Sequence, residues 1–330
     1  MRATYKGPSW TRNGGNAIDP GCPGPSVARR RPRGSASVAG RPPSPPSTRF
    51  REASEYRAHR EWRRYEGTAQ RDLFRELRQR FLERHSVENG WVVDLGSGPG
   101  RFLPWMGGLG ARRVALDLSR TMLTMVPDAW VALGRADAAP DRVRGDAARP
   151  PLAAGRWSEV VAFGNTLGFA GENADRVLDA AERLTSPEGI LHLEIAPGPG
   201  ERSNYLARLP PSSVARLLRS PVRAILSRLD REGFREEPPR HATPPTFRRF
   251  SVPMMVDRLR GSGWTVNETM AVAPALGPDA VRAEAARTDP KSWARLLELE
   301  EEIGRRPERW KSAAAVLLSA HRGSSMRMIK

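Results

Sequence analysis

Cysteine is nearly absent from this chain, with Cys22 the only one in 330 residues. That excludes an internal disulfide and any cysteine-rich zinc site. Long apolar runs are missing as well. The longest near the C-terminal end, Ala313 to Leu318, falls well short of the roughly 20 residues a membrane helix needs. No apolar core follows Met1, as a secretory leader would require. The five histidines are scattered and unpaired, so no metal site is expected. These deficits predict a soluble, intracellular, cytoplasmic protein, and 39% hydrophobic content is enough for a sizeable core.

Acidic residues are also in short supply, 37 against 54 Lys and Arg, for a formal net charge of +17. The excess is local. Residues 1–50 hold nine Arg or Lys against Asp19 alone, and residues 201–250 hold eleven Arg against five acids. Such clusters attract phosphates. Because the charge is concentrated in two segments, it argues against a general nucleic-acid surface.

Residues 1–50 combine that charge with nine prolines and seven glycines, and cannot bury enough apolar surface to offset their ordering entropy. They are read as a disordered basic tail, whether an RNA-binding arm, a targeting leader or a dispensable extension. The remainder, 51–330, reads as one domain. Over 51–88, apolar residues such as Leu73, Leu77 and Phe81 recur at helical spacing. That predicts a helical lead-in, with Thr68 capping its second helix and Tyr65, Gln70 or Arg71 near a pocket. Strand-like runs then alternate with helices: Trp91–Val93, Arg113–Leu118, Arg142–Asp146, Glu159–Phe163 and Gly189–Ala196, with a first crossover helix over Arg101–Leu109 that is short and interrupted by Pro104 and Gly107-Gly108. The alternation predicts a parallel sheet covered on both faces. Residues 201–250 interrupt it and are expected to form a helical lid. A helix over Val252–Gly261, a strand over Trp264–Ala273, a helix over Ser292–Ile303 and a last strand over Ala313–Ala320 complete the pattern.

The stretch Trp91 to Gly100, WVVDLGSGPG, organises the rest. An apolar strand ends in Asp94, and Gly96, Gly98 and Gly100 follow at alternate positions. Glycine admits positive φ and a close approach of ligand to backbone, so the stretch suits a nucleotide-type ligand over a strand-to-helix turn. Asp117 lies 21 residues after Gly96, the spacing that brings a carboxylate to ribose hydroxyls. The competing reading makes Asp117 a loop residue, with Ser119 capping the next helix.

WVVDLGSGPG resembles the first motif of class I S-adenosylmethionine-dependent methyltransferases, an acid and any residue followed by Gly-x-Gly-x-Gly; Asp94, Gly96, Gly98 and Gly100 occupy its fixed positions. The rival dinucleotide-binding pattern, Gly-x-Gly-x-x-Gly, would put its third glycine at Arg101, whose side chain would obstruct close packing. The resemblance implies a Rossmann-like α/β sandwich with a seven-stranded, mostly parallel sheet whose seventh strand is antiparallel. It implies S-adenosyl-L-methionine bound by Asp94, Gly96, Ser97, Gly98 and Gly100, with Asp117 and Leu118 at the ribose and Asp146 and Ala147 at the adenine. Phe163 and Gly164, with Asn165, would line the methyl end.

The loop Gly164-Asn165-Thr166-Leu167 lacks the Asn/Asp-Pro-Pro-aromatic sequence often found in methyltransferases of planar nitrogens. Oxygen, amine nitrogen, carbon and sulfur acceptors remain open. Catalysis is expected to rest mainly on alignment, with Asn165 and Glu194 as candidate catalytic residues and Glu194 available as a general base. His192 faces the same side as Glu194 by strand alternation and reads mainly as a hydrogen-bonded histidine packed against a helix. A small-molecule acceptor is expected. RNA bound by the Arg-rich insertion is one alternative, and a catalytically idle cofactor-binding regulator is another.

Overall fold

The computed structural model describes residue 61 and residues 67–108, 110–135, 137–197, 235–236, 247–276 and 280–322. The expected tail, the first lead-in helix with Tyr65, and most of the expected lid lie outside them. No helix among the described residues is long and apolar enough to cross a membrane.

The lead-in helix α1 (Ala69–His85) starts where its cap predicts, with the Arg71 amide donating to Thr68 Oγ1 at 3.3 Å. Seventeen residues are marginal as an isolated helix. Leu73, Leu77, Phe81 and Leu82 are fully buried, however, contributing on the order of 8 kcal/mol together, so docking rather than propensity holds the helix.

Seven strands form one sheet: β1 (Trp91–Leu95), β2 (Arg112–Asp117), β3 (Asp141–Arg144), β4 (Trp157–Ala162), β5 (Thr185–Ile195), β8 (Trp264–Ala271) and β9 (Val316–Arg322). Their order is β3-β2-β1-β4-β5-β9-β8. β1 to β5 run parallel, and β9 lies antiparallel between β5 and β8. This is the expected seven-stranded sheet, although strand boundaries shift by several residues. Two-residue strands β6 (Arg235–Glu236) and β7 (Phe247–Arg248) pair with each other, after which the Phe250 amide donates to the Ala196 carbonyl and returns the chain to the sheet.

Alternation along the strands divides the core. Val93, Leu95, Val160, Ala162, Leu191, Leu193 and Ile195 face the helices Ala174–Leu184 and Val252–Gly261. Val92, Ala115, Val161 and Leu317 face α1. Asp94, Glu159, His192 and Glu194 share the parity of that second face and are all buried. Helices Ala280–Arg287 and Pro290–Gly304, between β8 and β9, clamp α1 from outside. Arg287 pairs with Asp72, and the Trp293 indole donates to Glu76. The first of these helices has no counterpart in the sequence reading, because its apolar periodicity is weak.

The expected crossover helix over Arg101–Leu109 is absent. Only a 3-10 turn forms, Leu103–Trp105, because Pro104 lacks an amide donor and Gly107 reverses the chain at φ +65°. The carbonyls that follow the turn are collected by buried Arg113, which donates to the oxygens of Met106, Gly107, Gly108 and Ala111 at 2.7–3.0 Å. Arg113→Met is expected to cost on the order of 3 kcal/mol in urea unfolding, since it strands several buried acceptors. An unchanged midpoint would show that solvent reaches them.

Candidate functional site

The expected site residues sit at the C-terminal ends of neighbouring strands, where β1 is flanked by β2 and β4 and the crossovers diverge, the usual ligand position in open α/β sheets. Hydrogen bonds join the loops into one rim. After β1 the glycine turn folds onto β2, the amides of Gly96 and Ser97 donating to the Leu116 carbonyl at 2.7 and 3.0 Å. Gly96, Gly98 and Gly100 take φ of +71°, +54° and +78°, the left-handed conformation their residue type allows.

Asp117 closes the same rim. Its Oδ2 accepts from the Gly98 amide and its Oδ1 from the Ser119 amide, both at 2.8 Å. The next helix (Arg120–Thr124) is capped by Ser119, whose Oγ accepts from the Met122 amide, so Asp117 organises the turn and does not cap the helix. The Gly145 amide donates to the Asp117 carbonyl, and Arg144 donates to the Leu118 carbonyl, which ties the loops after β2 and β3 together. Asp146, just beyond β3, accepts from the Ala148 amide through Oδ1 and closes a local turn around Ala147.

After β4, Phe163 is buried edge-on against Phe102, their centroids 5.7 Å apart. Gly164 and Asn165 follow with φ of +66° and +71°. Thr166 Oγ1 donates to the Phe163 carbonyl at 2.8 Å and reaches the Gly96 carbonyl at 3.5 Å, joining this loop to the glycine turn. The Gly164 amide donates to Glu194 Oε2, and Arg78 of α1 donates to both Glu194 oxygens at 2.8 and 2.9 Å.

Two side chains of this rim, Asp94 and Asn165, are left unsatisfied, and Asp94 is the charged one. It is 1% exposed, yet neither carboxylate oxygen has a hydrogen-bond partner among the described residues. Burial, with the nearby charges of Asp117, Glu159 and Glu194, raises its pKa well above the ordinary value. Asn165 Oδ1 is likewise buried without a partner. A site with an uncompensated anion and a further unpaired acceptor suits a ligand carrying a cation and hydrogen-bond donors. The space fits too: a Cβ at Gly164 would meet nothing within 4 Å, and one at Gly98 only the Met122 sulfur at 3.9 Å.

His192 lies deeper on the same face and is completely buried, with Phe81 edge-on to it. The expected hydrogen bond is missing, since neither ring nitrogen has a partner among the described residues. Glu159 stands 3.6 Å away and accepts from Ser86 Oγ and the amides of Val87 and Gly107. Burial pushes the imidazole down to about 3 and the carboxyl up to about 7, so between those values the contact is neutral and not an ion pair.

Two contributors went unread in the sequence. Thr166 carried no signal. Arg78 did carry one, a charged residue amid Phe74, Leu77, Phe81 and Leu82 on the apolar face of an amphipathic helix. Of the lead-in candidates, Gln70 and Arg71 fall in the first turn of α1.

A family model described as a methyltransferase domain matches residues 93–193, from β1 to β5. No curated protein matches the chain significantly. Among solved structures, one is a complex between the Haloferax volcanii Trm112 methyltransferase activator and a candidate methyltransferase. It is 17% identical at a TM-score of 0.52, with 84% of this chain and 99% of that one covered. The magnesium protoporphyrin IX methyltransferase of Synechocystis PCC 6803 is 14% identical at a TM-score of 0.48, covering 83% and 97%. A candidate S-adenosylmethionine-dependent methyltransferase from Listeria monocytogenes is 15% identical at a TM-score of 0.47, covering 76% and 99%.

Proposed function

We propose that this chain, which has the class I S-adenosylmethionine-dependent methyltransferase fold, binds S-adenosylmethionine and is an active enzyme methylating a small molecule at an oxygen, amine nitrogen, carbon or sulfur atom. The buried, partnerless carboxylate of Asp94 carries this reading. It sits at the first motif, where a ligand with an ammonium and a sulfonium would supply the missing positive charge. When bound, S-adenosylmethionine supplies a methyl group on a sulfonium whose departure leaves a neutral thioether.

The residues divide the remaining work. Asp94 and the glycine turn would hold the amino-acid end. Asp117 and Leu118 would hold the ribose, with Asp117 exchanging its bond to the Gly98 amide for a hydroxyl. Asp146 and Ala147 would border the adenine, and Phe163, Gly164 and Asn165 the methyl end. Because a neutral leaving group needs little stabilisation, the rate would come from alignment and exclusion of water. The inward-facing Asn165 Oδ1 is suited to accept a hydrogen bond from the acceptor at the reacting end, and an enclosed acceptor of that kind favours a small molecule over RNA.

Transfer of a labelled methyl group to a cell extract, separated into small molecules, RNA and protein, tests this directly. Label in the small-molecule fraction is expected. Label in RNA would replace the acceptor, and binding without transfer to any fraction would leave an idle regulator. For the cofactor, Asp117→Ala is expected to weaken S-adenosylmethionine binding about 10- to 100-fold by calorimetry, through loss of a charged two-oxygen acceptor. Undiminished binding would count heavily against the assigned ribose role.

A further inference from the structure

The loop that would border the methyl end is built from two consecutive left-handed residues, Gly164 and Asn165. Asn165 is among the few side-chain-bearing residues that take this conformation readily, but two such residues in succession make a loop whose course depends on what holds it. The short helix that follows (Thr166–Ala170) starts without a side-chain cap. What restrains the loop from the β5 side is the bond from the Gly164 amide to Glu194 Oε2, at 3.1 Å. Glu194 is fixed in turn by Arg78, whose Nε and Nη2 donate to its two oxygens while Nη1 donates to the Phe74 carbonyl. Both side chains are about 4% exposed.

A buried ion pair is a weak device for stability, since an apolar pair of similar size usually serves as well. A carboxylate held rigidly under one particular loop amide calls for a different explanation. We infer that Arg78 and Glu194 are positioning residues: Arg78 orients Glu194, and Glu194 anchors the Gly164 amide so that Gly164 and Asn165 stand correctly at the methyl end. Glu194 is then a support acting through the backbone and not the proton acceptor. The clamp of Arg287 on Asp72 and Trp293 on Glu76 extends the same support outward, because it fixes the helix that carries Arg78.

The inference rests on the proposed methyl transfer, and the experiment separates the two. Two double variants remove the buried charges together, so neither leaves one charge stranded. R78M/E194Q keeps an oxygen for the Gly164 amide, and R78M/E194L does not. In the ligand-free full-length proteins, hydrogen exchange of the peptide spanning residues 163–167 is expected to be at least about 10-fold faster in R78M/E194L, with β1 and β4 unchanged. In R78M/E194Q it should stay near the unsubstituted rate. Labelled methyl transfer to the extract should fall about 100-fold in R78M/E194L while S-adenosylmethionine affinity falls less than about 10-fold, as misplacement predicts. R78M/E194Q should recover most of that loss.

Equal exchange and equal transfer in both variants would overturn the inference. A loss in R78M/E194Q as deep as in R78M/E194L, with the pH profile of transfer flattened, would make Glu194 a general base and overturn it as well. If the unsubstituted protein binds no S-adenosylmethionine, the proposed function falls, while the exchange rates still decide whether this pair holds the loop.

Discussion

Asp94→Asn is expected to abolish useful S-adenosylmethionine binding and at the same time to stabilise the ligand-free protein. Both effects come from one carboxylate, buried without a hydrogen-bond partner among the described residues. Removing the anion from a buried charge pair costs about 3–5 kcal/mol, so the dissociation constant should rise by at least about 100-fold. The free protein, conversely, no longer bears an uncompensated charge, and its stability should rise by about 1–3 kcal/mol.

The pH dependence gives these effects opposite signs. In the unfolded chain Asp94 titrates near 3.8, and in the folded protein well above that, through burial and then the charges of Asp117, Glu159 and Glu194. Unfolding therefore favours the ionised form, and Asp94 takes stability away as pH rises from the unfolded value through the folded one. The gain from Asn should be full at alkaline pH and vanish below about 4. Ligand affinity runs the other way: a cation needs ionised Asp94, so binding should weaken as pH falls through the folded value. Calorimetry and thermal unfolding across pH measure both. Unchanged affinity in the variant would remove the assignment of Asp94, and a lower melting temperature would show that an unseen donor already satisfies it.

Gly96→Ala should be nearly as damaging, for a reason unrelated to ligand contact. The new methyl would stand 2.5 Å from Thr166 Oγ1 and 2.8 Å from its Cγ2, in a backbone held at φ +71°. Thr166 cannot simply rotate away, since its hydroxyl donates to the Phe163 carbonyl. Left-handed strain of about 1–2 kcal/mol adds to the displacement of the loop, for a total on the order of 3 kcal/mol and loss of S-adenosylmethionine binding. Adding Thr166→Ala leaves only a Cβ at 3.2 Å and should recover the steric share but not the strain. Urea unfolding of the two single variants and the double variant measures that coupling. Strictly additive effects would mean that the two loops do not touch as described.

The alternation of strands and helices was legible because it rests on local patterns, while the seven-stranded sheet followed from the family resemblance and its strand order from the structure alone. The apolar run of β1, the helix capped by Thr68 and the helix Val252–Gly261 follow from periodicity and capping. The expected helix over Arg101–Leu109 reduces to a single 3-10 turn because Pro104 offers no amide donor, and distant side chains take the turn's carbonyls, Arg135 that of Pro104 and Ser86 that of Trp105. Residues of the motif could be named because glycine spacing and the acid at a strand end are backbone requirements, visible without any tertiary contact.

By itself, then, the sequence determined an alternating α/β sheet with a glycine turn after β1, because alternation, glycine placement and strand-end acids are local properties. Only the tertiary structure decided which carboxylates remain available. Asp94 and Glu194 look alike along the chain, each an acid at the end of an apolar strand. α1 brings Arg78 to Glu194 and brings no donor to Asp94. Whether a buried charge is satisfied depends on what a distant segment places beside it, and strand-end spacing carries no record of that.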